Sequence, residues 1–368
     1  MRIIHTDTDD IQNPLRGGQP VRTFQVNSRL AADHEIKVFT ATYKDSKKQV
    51  VRSNIDYETL GITIPGWGLS SHLSFLGNLP AAIKRTSHDL VVEEFTPPFG
   101  FCDLQRFTQK PVVSMVQWFF FDDWQKRYKL PFENIMRKRA LKQPDRHIIV
   151  QTNKMGEYFK DLLPKANIVK VPCGINLDAF DASETLGNYA LFLGRLDVNH
   201  KGLDDLLQAW ALLIKQGINI PLWIVGAGKD EASLKVLSRT LGLDALVIFK
   251  GRLEGEAKKV ALKNSRFLVM PSRQETFGLT ALEAMAVKKP VIAYDIDHLN
   301  ELLRPDWSRI VQKGNVNALA SAVAAFWKNP DMCMALGVNA FLEAKKYLWD
   351  EIATKQRDVY LDVVGRRL

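Results

Sequence analysis

The chain has 368 residues, two to three times an ordinary domain, so two domains are expected. Apolar residues make up 46% of it, which suffices for sizeable cores and argues against wholesale disorder. The net charge of +9 favours phosphates, nucleic acid or an anionic membrane surface as partners. No apolar run approaches the roughly 18–20 residues of a membrane span. The first residues, Met1 to Thr6, turn polar at once, unlike a secretory leader. Cys102, Cys173 and Cys333 are scattered and odd in number, so neither a disulfide framework nor a cysteine metal site is indicated; a reducing cytoplasm fits best.

Short β-branched runs alternate with helical patterns along the whole chain. Residues 2–5, 35–43, 90–93, 111–116, 147–151 and 168–171 read as strands of the first half. Residues 191–193, 222–225, 246–249, 267–270, 291–293 and 309–311 read as strands of the second. Amphipathic stretches at 21–32, 203–215, 229–241, 317–327 and 350–364 carry apolar residues at helical spacing. Such alternation predicts parallel sheets covered by helices on both faces. The seam is expected at residues 172–176, giving domains 1–173 and 174–348 and a closing helix, 349–368. Charge is uneven across that seam. Up to Ile175 there are 25 basic and 18 acidic residues (+7); the remainder has 25 and 23 (+2). The excess gathers at Lys126, Arg127, Lys129, Arg137, Lys138, Arg139, Lys142 and Arg146.

The most informative segment runs from Pro271 to Ala286, with Glu275, Phe277, Gly278, Leu279 and Glu283 at its functional positions. It follows an apolar strand, and open α/β sheets bind ligands at strand carboxyl ends. Gly278 permits close backbone approach, and the helix from Leu279 aims free N–H groups where a diphosphate would sit. Glu275 lies before that helix and Glu283 inside it, so one carboxylate can reach a sugar and the other a ribose. The bland alternative is a helix cap and a solvated carboxylate.

This segment resembles the donor-site motif of retaining GT-B glycosyltransferases of family 4, the group 1 glycosyl transferases. The resemblance implies two Rossmann-like doubly wound parallel-sheet domains facing a deep cleft, with an N-terminal acceptor side and a C-terminal nucleotide-sugar side. Gly194 to Gly202 is similar to the family segment whose two cations, here Arg195 and Lys201, hold the donor diphosphate. Arg offers a planar fork and Lys a point charge, able to neutralise the leaving group without a metal. Gly17-Gly18 resembles the family's N-terminal glycine loop, and Arg22 in the next turn could add a charge there. Gly226 and Gly228 resemble a tight turn against the nucleotide; Glu231 stands where a dinucleotide fingerprint needs glycine. Arg252 falls in the segment bordering the nucleotide base.

One position departs from the family: Gln117 stands where many members have histidine after the strand 112–116. Glutamine can bond a sugar hydroxyl but cannot exchange a proton, so it reads as pocket-lining. Glu93 and Glu94, placed after a strand and before Pro97-Pro98, could bind acceptor hydroxyls, act as a base, or be loop carboxylates in an ion pair. Asp7-Thr8-Asp9 and Asp295-Ile296-Asp297 spell a metal-binding triplet of another transferase fold, but acidic triplets are common in loops. The resemblance implies no metal and no cofactor besides the nucleotide-diphosphate sugar substrate. It implies a glycan, lipid-linked or small-molecule acceptor, and no nucleic acid, since no RNA-binding signature accompanies the basic cluster. That cluster, with Trp124, Tyr128 and Phe132 nearby, could lean on anionic lipid at the inner membrane face or be a solvated helix face. Trp67 and Phe75, around residues 69–79, offer a further apolar contact. Two other readings share the fold: a sugar-nucleotide epimerase, and a non-catalytic lectin-like or membrane-docking protein.

Overall fold

The computed structural model describes residues 1–13, 18–64, 70–95, 102–117, 131–176, 178 and 186–366, without the side chains of 132 and 133. Two compact units emerge: unit 1 comprises Met1–Cys173 with Trp349–Leu368, and unit 2 comprises Gly174–Leu348.

Among the described residues, unit 1 is built on an eight-stranded sheet ordered β3-β4-β2-β1-β5-β6-β7-β8. Its strands are β1 (Arg2–Asp7), β2 (Glu35–Ala41), β3 (Gln49–Arg52), β4 (Ile55–Leu60), β5 (Leu90–Glu94), β6 (Val112–Val116), β7 (His147–Val150) and β8 (Asn167–Lys170). All pair in parallel except β3, which runs antiparallel on the outside of β4. Parallel strands are covered on both faces, which is why Leu90, Val91, Val92 and Val113 are each fully buried. The helices are α1 (Gln19–Leu30), α2 (Ser70–Arg85), α3 (Phe132–Ala140) and α4 (Asn153–Leu162), the last capped by Thr152, whose hydroxyl accepts from Met155 N. Phe75, Leu79, Ala82 and Ile83 of α2 pack on Ile4, Phe39 and Val91.

The strand expected at 35–43 is β2, whereas the hairpin β3–β4 at residues 49–60 is not among the expected strands. Ser53 and Asn54 take φ of 48° and 61°, the two-residue turn whose twist matches a hairpin. A Ser-Asn pair between Val50-Val51 and Ile55 is the signal that was there to read.

Unit 2 holds a six-stranded, all-parallel sheet ordered β11-β10-β9-β12-β13-β14. These are β9 (Ala190–Leu193), β10 (Leu222–Val225), β11 (Val247–Gly251), β12 (Phe267–Met270), β13 (Val291–Tyr294) and β14 (Ser308–Val311). The described helices are α5 (Val198–Lys201), α6 (Leu203–Lys215), α7 (Glu231–Thr240), α8 (Gly255–Lys263), α9 (Leu279–Ala286), α10 (Val316–Lys328) and α11 (Pro330–Ala344). The core centres on Trp210 of α6, fully buried among Leu206, Leu213, Ile224 and Phe326, with its indole N–H donating to Ile220 O at 2.8 Å. Helix α12 (Trp349–Gly365) returns the chain to unit 1, where Arg29 of α1 pairs with Asp350 and Tyr360 is fully buried.

In both sheets the first strand lies in the interior and the chain winds outward from it in both directions. Each sheet therefore has a switch point, between β1 and β5 in unit 1 and between β9 and β12 in unit 2. Loops leaving the carboxyl ends of such strands diverge and leave room for a ligand.

Candidate active site

In unit 2 the loops after β9, β10 and β12 are fastened to one another by backbone. Gly194 N donates to Val225 O and Leu196 N to Ala227 O, each at 3.0 Å. Gly226 has φ +146°, and a Cβ on it would fall 1.8 Å from Gly194 O; one on Gly228 would fall 2.2 Å from Leu196 O. Only glycine allows this approach. Asp197 caps α5, its carboxylate receiving the His200 ring Nδ1 at 3.0 Å and lying 3.4 Å from Lys229 Nζ. Burial opposes its ionisation, yet the His200 hydrogen bond and these charges together hold the Asp197 carboxyl below its ordinary range. Gly202 ends α5 at φ +62°, where a Cβ would meet Pro271 O at 2.2 Å. Arg273 N and Gln274 N then donate to His200 O at 2.8 and 3.2 Å, joining the loop after β12 to the end of α5.

This fastening brings Lys201 and Glu275 together from 74 residues apart: Lys201 Nζ pairs with Glu275 Oε1. Ser272 Oγ donates to the same oxygen at 3.2 Å, while Oε2 has no hydrogen-bond partner among the described residues. Arg195 is exposed and its side chain makes no hydrogen bond or ion pair among the described residues. Arg273 braces the two loops, with Nη2 at 2.8 Å from both Asp204 Oδ2 and Asp205 Oδ1 and Nη1 donating to Val198 O at 3.2 Å. Tyr294 OH donates to Asp205 Oδ2 at 3.1 Å and completes the brace.

Helix α9 follows Gly278, φ +91°, where a Cβ would meet Leu299 Cδ2 at 2.6 Å. No side chain caps it, so the N–H groups of its first turn stay available to a ligand. Phe277 is 5% exposed and stacks edge-on to Tyr347 at 5.9 Å, so only its backbone is offered to a ligand. One turn into α9, Glu283 Oε1 accepts from Lys258 Nζ of α8 at 2.7 Å. Arg252 Nε donates to Glu254 Oε1 at 2.8 Å. An exposed Arg, a Lys held by a carboxylate and a free helix N-terminus make a surface suited to a diphosphate, with two carboxylates ready for hydroxyls.

At the switch point of unit 1 the strand ends carry a buried polar chain. Asn27 Nδ2 donates to His5 Nδ1 at 3.0 Å, and His5 Nε2 then donates to Glu94 Oε1 at 3.0 Å. Gln117 Nε2 donates to the same Glu94 oxygen at 2.9 Å, and Gln151 Nε2 to Gln117 Oε1 at 3.3 Å. Burial, reinforced by the charge of Glu94, raises the Asp7 carboxyl well above its ordinary value.

The sequence matches the family described as Glycosyl transferases group 1 over residues 178–343 and that described as Glycosyltransferase Family 4 over residues 16–179. The chain belongs to glycosyltransferase family 4. It is 31% identical over 204 residues to a phosphatidyl-myo-inositol mannosyltransferase of Mycobacterium leprae, 53% of this chain and 54% of that protein. The match thus spans about half the length of that relative. The fold is GT-B. Sucrose-phosphate synthase from Thermosynechococcus elongatus superposes with a TM-score of 0.82 at 21% identity, covering 99% of both chains. HepE of Anabaena, solved with UDP and glucose, gives 0.76 at 15% identity, covering 98% of this chain and 100% of the other.

Within this family 4 chain, Arg195, Lys201, Gly226, Glu275, Phe277, Gly278 and Leu279 gather on the interlocked loops of unit 2, with Glu283 in the following helix and Arg252 just past β11. In unit 1, Gly18 precedes α1, whereas Gly17 lies outside the described residues, as do Trp67, Pro97-Pro98, Trp124, Lys126, Arg127, Tyr128 and Lys129. Several expectations need correcting. Arg22 is fully buried, not a solvated charge, because α1 turns it inward to donate from Nη2 to Val171 O at 3.1 Å. Glu93 and Glu94 are strand residues, 0% and 1% exposed, not loop carboxylates. Glu93 receives Arg146 Nη1 at 2.8 Å and Ser114 Oγ at 2.7 Å, which removes Arg146 from the surface cluster. Phe75 is 1% exposed and belongs to the core. Apart from these corrections, Asp7 Oδ2 of β1 accepts from Thr23 Oγ1 of α1 at 2.7 Å and Asp9 Oδ1 from Asn13 Nδ2 at 2.7 Å. Asp295 Oδ1 accepts from Asn300. Among the described residues no group of three or more His, Cys, Asp or Glu is arranged to hold a metal ion, and no helix is long and apolar enough to cross a membrane.

Sequence reasoning missed Arg273, although it sits inside the motif, and Lys258, His5 and Asn27. For the last three nothing in sequence spacing signals the meeting, which depends on helix packing and strand order.

Proposed function

We propose that the chain is a retaining, metal-independent glycosyltransferase that takes a sugar from a UDP- or GDP-type donor. The Lys201–Glu275 pair beside the unpartnered Arg195, at the switch point of unit 2, carries this reading. Arg195 and Lys201 would take the diphosphate with the N-terminus of α9, Glu275 a sugar hydroxyl, and Glu283 the ribose. Lys201 turns from carboxylate to phosphate when the donor arrives, which leaves Glu275 free for the sugar. In front-side attack the acceptor oxygen bonds to the anomeric carbon on the face the diphosphate leaves. The bond from that carbon to the phosphate oxygen breaks, and the acceptor's proton passes to the departing phosphate. No carboxylate nucleophile is needed, consistent with Glu275 acting as a clamp. The two cations stabilise the charge that builds on the leaving group.

Acceptor recognition is proposed for unit 1, through Gln117 and Glu94 at the carboxyl ends of β6 and β5. The named lipid substrate of the mycobacterial relative supports a lipid-linked or polyol acceptor. Proton NMR of the turned-over donor tests the stereochemistry: an α-configured donor sugar should yield an α-configured product. A β product would overturn the retaining reading.

A cytoplasmic site of action at an inner membrane face belongs to the same proposal. It is supported by the basic run of α3 and its end, where Lys138 and Lys142 are exposed and Leu141 is 57% exposed. Cations near an anionic surface contribute about 1 kcal/mol each. Sedimentation with phosphatidylglycerol vesicles should therefore fall roughly tenfold or more in K138E/K142E. Equal binding of the variant, or equal binding to phosphatidylcholine, would contradict membrane docking.

A further inference from the structure

We infer that Lys258 is a positioning residue for the ribose: it fixes the Glu283 carboxylate so that the site prefers ribonucleotides to 2′-deoxyribonucleotides. The inference rests on the proposed nucleotide-sugar reading and adds a residue and a specificity to it.

Glu283 lies on α9 and Lys258 on α8, one turn after Glu254. Their side chains are 23% and 31% exposed, and Lys258 Nζ donates to Glu283 Oε1 at 2.7 Å. Among the described residues Glu283 has no other hydrogen-bond partner, so Oε1 is held and Oε2 is open. A carboxylate held at one oxygen presents the other in a fixed direction. It accepts a hydroxyl without first losing rotamer freedom, which is where preorganised sites gain affinity. Ribose offers such a carboxylate two adjacent hydroxyls, 2′ and 3′, and deoxyribose only the 3′, so a 2′ contact is what a ribonucleotide preference would report. A surface ion pair between helices would also give the observed distance, but it would carry no preference between the two sugars.

Calorimetric titration with UDP, GDP and ADP, each beside dUDP, dGDP and dADP, separates these outcomes. For the tightest-binding base, the wild type should favour the ribonucleotide by at least about tenfold, as expected for one hydrogen bond to a charged acceptor. K258M should reduce that ratio to less than about threefold at unchanged melting temperature, and K258R should restore most of it. E283Q should also lose the preference, and K258M/E283Q should be no worse than either single variant, because the two residues act as one unit. A ribose preference that survives intact in K258M overturns the inference and leaves the donor reading standing. Absence of binding to any of the six nucleotides by the wild type overturns both.

Discussion

Lys201→Ala is expected to slow sugar transfer by about two to three orders of magnitude, chiefly through kcat. Removing one preorganised stabiliser of a developing anion costs about that much. The position explains why the loss should be in turnover. Lys201 stands at the end of α5, and Gly202 and the His200 carbonyl tie that end to the loop carrying Glu275. The side chain is 17% exposed and Glu275 is 12% exposed, so water replaces the pair poorly. Loss of the cation also frees Glu275, the proposed sugar clamp, to move. Arg195→Ala should slow transfer similarly but with little effect on stability, since Arg195 has no intramolecular partner among the described residues. Steady-state kinetics with the preferred donor, beside circular dichroism melts, distinguishes the two. Full turnover in both single variants and in the double would remove these residues from the chemistry.

Gly226→Ala should abolish nucleotide binding and destabilise unit 2 by about 2–5 kcal/mol, summing positive-φ strain with overpacking. The new Cβ would lie 1.8 Å from Gly194 O, which is backbone and cannot rotate away. The loop carrying Arg195 would have to shift. Gly217→Ala is the matched control. Its φ is +73°, but nothing lies within 4 Å of the added carbon, so only the conformational cost of about 1–2 kcal/mol applies. Chemical denaturation and calorimetry of the two variants separate strain from collision. Equal stability and retained binding in Gly226→Ala would show that the loops do not interlock as described.

The loops of the candidate site in unit 2 were legible in the sequence because their pattern is local. Pro271 to Ala286 is one contiguous run after a buried strand, and the glycines at 202, 226 and 228 mark places where backbone meets backbone. The interior of unit 1 was not legible for the opposite reason. His5 meets Glu94 across 89 residues and Glu93 meets Arg146 across 53, and only the strand order brings them side by side. A Glu-Glu pair before prolines reads as a loop until its strand is known to run to Glu94. Arg22 shows the same limit: a cation in the turn after a glycine loop reads as a charge on offer there until α1 is seen to bury it. The charge excess changes meaning accordingly, since Arg146 is spent on an internal ion pair while Lys138 and Lys142 remain at the surface.

The central claim is that the loops after β9, β10 and β12 bind a nucleotide-diphosphate sugar through Arg195 and Lys201. A thermal-shift panel of UDP-, GDP-, ADP- and TDP-sugars on the wild type and on R195A/K201A tests it directly, because a bound ligand raises apparent stability with the logarithm of its concentration over its affinity. The account predicts that at least one donor raises the melting temperature of the wild type and none raises that of the double variant. A wild type indifferent to every donor, or a double variant stabilised as strongly as the wild type, would contradict it.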